Sequence, residues 1–269
     1  AGYPTGLSTS AQPDSGQAYD VYLAAGFHHT HADLAIHALR MGSVAVVEKP
    51  VVVTWVELDA LTDTMKSTGG RLFSCYHMRY NRLFRLAKRD LGEDQPIHVT
   101  ADVYEVPLPR LHWYRWPNSR SHIVSNGCHW LDHFLFMNRY ARPLYSSIER
   151  AGNGDSYAHV RLENGACLFL HLTHLGSTRI GVQDHVVMRS ADKTVTVTNG
   201  AYYRFEDARR LRRQKRVNRM HAYAQMYQQI SRKIVTQEKG DSIESLLVMN
   251  SLMLELDERL RFEDAKTLK

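Results

Sequence analysis

The run Val44-Ala45-Val46-Val47 contains no polar residue and is followed at once by Glu48-Lys49-Pro50. A strand that is apolar on both faces suits a sheet covered on both sides, which is how parallel α/β sheets are built; a half-solvated antiparallel strand would alternate. Charges directly after such a strand fall at the carboxyl end of the sheet, where open α/β sheets bind their ligands. A surface salt bridge where the strand emerges is the other reading of Glu48 and Lys49. The flanking sequence has to choose between them.

Upstream, Val21 to Ala25 is a second short apolar run between Asp20 and Gly26, read as a buried strand. Thr30, with Asp33 three residues on, has the pattern of a helix N-cap. Leu34, Ala35, Ala38 and Leu39 then supply one apolar helical face, and Gly42 closes it. Downstream, Thr54 and Glu57 form a capping box ahead of Leu58, Leu61 and Met65, and Gly69-Gly70 leads to a third strand, Leu72 to Tyr76. Strand, helix, strand, helix, strand with short connections predicts a parallel α/β unit. Residues 1–20, rich in Pro, Gly and Ser, read mostly as loop.

The pattern changes near Gly92. Ile97 to Val106 alternates as a half-buried strand, and YAHVRLENGACLFLHLTHL (157–175) carries Asn164-Gly165 between two strand-like runs, a strong hairpin signal. DHVVMRS and KTVTVTN extend the strand-rich stretch, and helices are expected near 217–236 and 242–261. The alternation of Leu168, Leu170 and Leu172 with Phe169, His171 and Thr173 leaves both faces of this sheet partly apolar, so a second copy of the chain is expected to cover the open one.

With 269 residues, 43% hydrophobic and 23% charged, the chain has material for one large or two modest globular cores. No apolar run approaches the roughly 20 residues of a membrane helix, and no charged-then-apolar leader is visible. Cys75, Cys128 and Cys167 form no CxxC spacing and are odd in number, which favours a reducing, cytoplasmic setting. The formal charge of +6 is concentrated in ARRLRRQKRVNR (208–219), with seven Lys or Arg in twelve positions. Without interleaved aromatics or a reading module this is expected to be a solvated loop and helix start rather than a nucleic-acid surface; an anionic substrate or a partner subunit stays open. His129 and His133 at i, i+4, and the cluster His28, His29, His31 and His37, invite a metal reading. Neither has the HExxH pattern or an identified third ligand, and no metal is assigned.

In this setting AAGFHHTHADLAIHALRMGSVAVVEKP (24–50) resembles the glucose–fructose oxidoreductase and inositol dehydrogenase family, Gfo/Idh/MocA. Residues 25–31 stand where that family has ATPNHTH, and Glu48-Lys49-Pro50 is its EKP. The likeness continues through CYHMRY (75–80) to WYRWPNSRSHIVSNGCHWLDHF (113–134), where the family has D-x-G-x-H-x-x-D. It implies hydride transfer between a sugar, sugar-nucleotide or polyol carbon and NAD or NADP. Lys49 and His129 would sit at the reacting oxygen. Ala25, Gly26, His28, His31, Glu48 and Lys49 would contact the cofactor, and His77, Arg79, Trp113, Arg115, Ser125 and Asp132 the substrate. The chemistry is coherent, because an alcohol losing hydride needs a near-neutral base for its proton and a cation for the developing alkoxide.

The fold implied is α/β: a partial Rossmann-like parallel sheet over 1–93, then an α+β domain over 94–269 with a large, mainly antiparallel open sheet. Ser125 replaces the Asp or Asn of the family motif, and Ser119-Arg120-Ser121-His122 replaces its Gly-rich turn, so a different substrate shape or charge is expected. No GxGxxG precedes Val21, and twenty residues are too few for a strand, glycine turn, helix and ribose-binding carboxylate. Cofactor binding by this chain is accordingly expected to be poor. Whether the chain is a fragment or a family member lacking that half stays open, and a non-catalytic binding or assembly subunit is the alternative to an enzyme.

Overall fold

The computed structural model describes residues 19–218 and 221–267. The opening segment expected to be loop, and with it any phosphate-binding turn ahead of Val21, lies outside the described residues.

Three parallel strands form the first sheet: β1 (Val21–Ala24), β2 (Val44–Val47) and β3 (Leu72–Ser74), in that spatial order. Ala24 pairs with Val47 and Val47 with Ser74, so the strands end level and release their following loops at one edge. The crossovers α1 (His31–Arg40) and α2 (Trp55–Thr68) pack on each other, with α1 against β1 and β2. The other face is covered by a helix from far along the chain, α5 (His221–Val235), whose Met226 and Ile230 bury Val44, Val46 and Phe73. Covering on both sides explains the unbroken valines of β2.

β1 differs from the expected buried strand: Leu23 is 57% exposed. The cluster that α5 builds includes β2 and β3 side chains but none from β1, so among the described residues Val21 and Leu23 have no cover on that face. The N-cap reading of Thr30 is also corrected. A 3-10 turn over His28–Thr30 feeds straight into α1, and the Thr30 hydroxyl donates back to Phe27 O at 2.8 Å instead of capping the helix. The Thr54–Glu57 capping box is present, with Glu57 N donating to Thr54 Oγ1 at 3.2 Å and Thr54 N to Glu57 Oε2 at 3.1 Å.

After β3 comes α3 (Arg82–Leu91), capped by Asn81 and ended by Gly92 at φ +85°, a conformation that favours glycine. The second sheet then begins. Its strands are β4 (His98–Tyr104), β5 (Pro143–Arg150), β6 (Ser156–Leu162), β7 (Cys167–Thr173), β8 (Gln183–Ser190), β9 (Lys193–Thr198), β10 (Tyr202–Glu206) and β11 (Leu211–Arg216). The order is β11-β10-β9-β8-β4-β7-β6-β5, antiparallel except where β4 meets β7. Asn164-Gly165 turns the β6–β7 hairpin as expected, with Gly165 at φ +88°.

One face of this sheet is buried by α3 and by α6 (Ile243–Thr267), while α4 (Cys128–Met137) packs between α6 and the 3-10 turn after β3. Leu168, Leu170 and Leu172 point into that core, and Phe169, on the other face, is 53% exposed. The Arg-rich segment is not the expected loop and helix start. Residues 211–216 form the edge strand β11, where Lys and Arg side chains are tolerated because they discourage pairing with a further strand. The expected division near residue 93 falls in the α3–β4 connection, yet α5 returns to the first sheet and α6 packs against α2.

Candidate active site

Because β2 ends at Val47, Glu48 and Lys49 leave the carboxyl edge of the parallel sheet. Lys49 Nζ donates to the main-chain oxygen of Ser125 at 2.5 Å and to Tyr114 Oη at 3.4 Å, and it stands 5.4 Å from the Tyr114 ring centroid. Ser125 belongs to a single π-helical turn, Ile123–Gly127, that runs directly into α4, and His129 lies on the first turn of that helix. Lys49 and His129 thus line one cavity of about 550 Å³, together with Tyr114, Ser125, Glu105 and Tyr223.

Burial works against the Lys49 ammonium, but the acidic groups of Cys128 and Tyr114 beside it outweigh burial and set its pKa above the ordinary lysine value. The Cys128 thiol is itself pushed up to about 12 by burial, so near neutral pH the thiol is uncharged and Lys49 is a cation. His129 moves the other way. Burial, then the neighbouring His77 and Lys49, hold its pKa well below the ordinary histidine value, so the ring is neutral at pH 7. Its Nδ1 is buried with no hydrogen-bond partner. The Lys49 ammonium, which forms no salt bridge among the described residues, and the neutral His129 ring therefore line the same space. Deeper in it, Asn126 donates to Glu105, whose pKa burial raises, and His174 Nδ1 donates to Glu105 O at 3.1 Å.

The remaining candidates divide. Ser125 and Arg115 line the cavity; Arg115 also donates to Leu108 O at 2.9 Å. His28 and Trp113 form an aromatic nest beside it, with the His28 ring 4.8 Å from Tyr114 and 4.7 Å from Trp113, and burial pushes His28 down to about 3. His77 packs its ring 4.5 Å from that of His129 and stacks on Tyr223. Ala25 and Gly26 are exposed at the end of β1, and Glu48 accepts a hydrogen bond from Tyr227 Oη at 2.5 Å. His31 is occupied structurally: its ring nitrogens lie 2.8 Å from Pro50 O and 3.1 Å from Gly26 O, tying the loops after β1 and β2 together.

Arg79 and Asp132 are corrections. Arg79 Nε donates to Asp132 Oδ2 at 2.8 Å, and its Nη1 donates to Asp241 Oδ1 at 2.8 Å. Tyr140 Oη donates to Asp132 Oδ1 at 3.0 Å, and Ser74 N to Asp241 Oδ2 at 2.8 Å. Burial opposes the charge on Arg79, but the two carboxylates more than offset it and hold its pKa well above the ordinary value. This network joins α4, the end of β3 and the start of α6, and these hydrogen bonds all run between protein groups. The hydrogen bonds of Asp132 run to Arg79 and Tyr140, and none runs to His129. His133, the other half of the i, i+4 histidine pair, is fully buried against Phe84 with neither nitrogen partnered. No group of three or more metal-ligating side chains occurs among the described residues.

Sequence reasoning missed Tyr114, Glu105, Asn126, His174 and Tyr223. Tyr114 adjoins the singled-out Trp113 and could have been found from that position; the others carry no local signal.

Residues 7–76 match the family model of the oxidoreductases with an NAD-binding Rossmann fold, Gfo/Idh/MocA. Over that segment the chain is similar to the Gfo/Idh/MocA oxidoreductases. The match takes in the loops of Ala25, Gly26 and Glu48-Lys49-Pro50, and it gives the Gfo/Idh/MocA segment NAD or NADP as its cofactor. Solved structures share the fold more widely. The UDP-N-acetylglucosamine 3-dehydrogenase of Acidithiobacillus ferrooxidans superposes with a TM-score of 0.74 at 17% identity, covering 89% of this chain and 78% of that one. A dehydrogenase from Chromobacterium violaceum gives 0.74 at 15% identity over 92% and 79%. An oxidoreductase domain protein from Kribbella flavida gives 0.73 at 15% over 90% and 79%. At these identities the likeness is one of fold. No curated protein sequence matches.

Proposed function

We propose that this Gfo/Idh/MocA oxidoreductase moves a hydride between nicotinamide and a hydroxyl-bearing carbon of a sugar, sugar nucleotide or polyol, with Lys49 and His129 at the reacting oxygen. The observation that carries this reading is the convergence of Lys49 and His129 on one cavity. The 3-dehydrogenase among the structural neighbours, named for a sugar nucleotide, supports the substrate class.

The residues at the sheet edge fit a nicotinamide: Ala25 and Gly26 are exposed there, and a Cβ on Gly26 would come within 3.0 Å of Thr30 Oγ1. When bound, the cofactor supplies the hydride acceptor or donor. The chain handles the proton and the charge. In the oxidising direction the His129 ring takes the hydroxyl proton as the C–O bond gains double-bond character, and Lys49 Nζ donates to the oxygen while it is electron-rich. In the reducing direction His129 returns the proton. A ring held neutral by burial starts in the proton-accepting form that the oxidising direction needs. Arg115 and Ser125 shape the substrate side, and the Tyr114 ring holds Lys49 in place.

The test is nicotinamide-linked turnover across a panel of sugars, sugar nucleotides and polyols, with Lys49→Met and His129→Asn beside the parent chain. Each variant is expected to keep its circular dichroism spectrum. Each is expected to lose turnover by about 10²–10³, the cost of removing one transition-state donor. Full turnover in either variant overturns the assignment. We also propose that a second copy covers the open sheet face presenting Tyr145, Tyr157 and Phe169; a monodisperse monomer by light scattering at micromolar concentration would contradict this.

A further inference from the structure

A larger cavity, about 1060 Å³, lies between α3, β11 and α5 and shares no lining residue with the candidate active site. Arg82, Arg85 and Arg89 line it from one face of α3, with Lys215 opposite on β11, and no carboxylate lines it among the described residues; Arg216, next along β11, turns its guanidinium to the Tyr202 ring on the other face of the sheet. The i, i+3, i+7 spacing places Arg82 and Arg89 about 10 Å apart along the helix axis.

The surrounding cations behave differently. Arg204 pairs with Glu206, Arg212 with Asp207 and Arg213 with Asp90, whereas among the described residues none of the four groove cations forms a salt bridge. Asp90, the nearest acid on α3, is already taken by Tyr203 Oη at 2.8 Å and by Arg213. Edge protection accounts for cations on β11, and solvation for those on α3. Neither accounts for both sets converging on one concavity without a counter-charge. From the remaining wall, Gln225 and Gln229 on α5 add amide groups, and Arg85 donates to Gln229 Oε1 at 2.7 Å.

We propose that this groove is a binding site for a compact polyphosphate group, either free or as the phosphate tail of a nucleotide. Guanidinium forks suit phosphate oxygens bidentately, and four clustered cations gain most from a ligand with several charges close together. Nucleic-acid strands are disfavoured because non-specific single-strand sites need exposed aromatic platforms. The one aromatic residue lining the groove, Tyr80, is 7% exposed. A protein partner is disfavoured because lasting interfaces need apolar anchors, and the leucines of the groove floor, Leu83 and Leu86, are already buried in the core.

The test is calorimetric titration of the full chain with sodium tripolyphosphate and with ATP, at about 50 and 200 mM salt. Binding is expected with both ligands and is expected to weaken at least tenfold at the higher salt, as for any site neutralising several phosphates. The triple variant Arg82→Ala/Arg89→Ala/Lys215→Ala is expected to weaken binding at least tenfold with unchanged circular dichroism, and Lys49→Met to leave it unchanged. Equal affinity for the two ligands identifies the phosphate chain alone as the determinant, and tenfold tighter ATP binding identifies a nucleotide. The proposal is overturned by no binding at low salt, by a triple variant that binds like the parent, or by tighter binding of an oligonucleotide or a polyglutamate peptide.

Discussion

Two buried polar clusters meet at α4, and they are built to different rules. In the Arg79–Asp132–Asp241 cluster the guanidinium faces two carboxylates, with Tyr140 and Ser74 completing the set. In the Lys49–His129 cluster the cation has only a main-chain oxygen and a phenol, and the imidazole keeps an open nitrogen. Both contain charge removed from water, at considerable cost. A closed set of partners spends its hydrogen-bonding capacity on holding the fold; an open set leaves capacity for something that comes and goes.

Substitutions can break that contrast. Asp132→Ala strands a buried guanidinium and is expected to cost about 3–5 kcal/mol in urea unfolding. Lys49→Met should reverse the pattern: turnover falls by about 10²–10³, while stability stays within about 1 kcal/mol, because a cation without a carboxylate partner leaves no opposite charge behind. If Lys49→Met unfolds the chain as readily as Asp132→Ala does, the distinction between scaffold and site is lost.

Acid sharpens the comparison. Burial lowers His28 to about 3, His133 to about 3 and His122 to about 4, all below the ordinary 6.5. Their folded pKa values lie under the unfolded one, so the unfolded chain takes up protons first as pH falls. Stability is therefore full above pH 6.5 and declines below it, each histidine contributing up to about 1.4 kcal/mol per pH unit until its folded pKa is reached. The raised pKa of Glu105 acts in the opposite sense at the acid end. Unfolding curves collected between pH 7 and 4 should show this slope; a flat profile would mean that the buried rings reach water. The smallest effect is expected for His133→Leu. It removes two unpartnered nitrogens and should raise the melting temperature, with a gain of about 1 kcal/mol and a shallower acid slope.

The sequence disclosed these two clusters unequally. Lys49 was legible because an unbroken valine strand ends one residue before Glu48, and strand ends are where a parallel sheet exposes function. His129 was legible only together with that lysine and the order of motifs. Asp132 misled because helical spacing says which residues share a face, whereas its true partners, Arg79 and Asp241, are distant in the chain and carry no local signature. β11 was hidden for a related reason: an edge strand can carry Arg at nearly every position and still pair through its backbone, so its composition resembles that of a loop. β1 read as buried because its side chains are apolar, and local composition does not reveal that α5 stops short of it.

The π-helical turn over Ile123–Gly127 gives the site an angular setting. Such a turn is an α-helix with one residue inserted, and each residue of an α-helix advances the chain by about 100°. Ser125, whose carbonyl seats Lys49, belongs to the wide turn, and His129 belongs to the regular helix that follows. Deleting one residue between 123 and 127 would let α4 run on as an ordinary helix with its apolar face intact. The lysine's seat would then be rotated by roughly a quarter-turn relative to the imidazole. The distance between Lys49 and His129 thus depends on the length of one short segment as much as on the identity of either side chain.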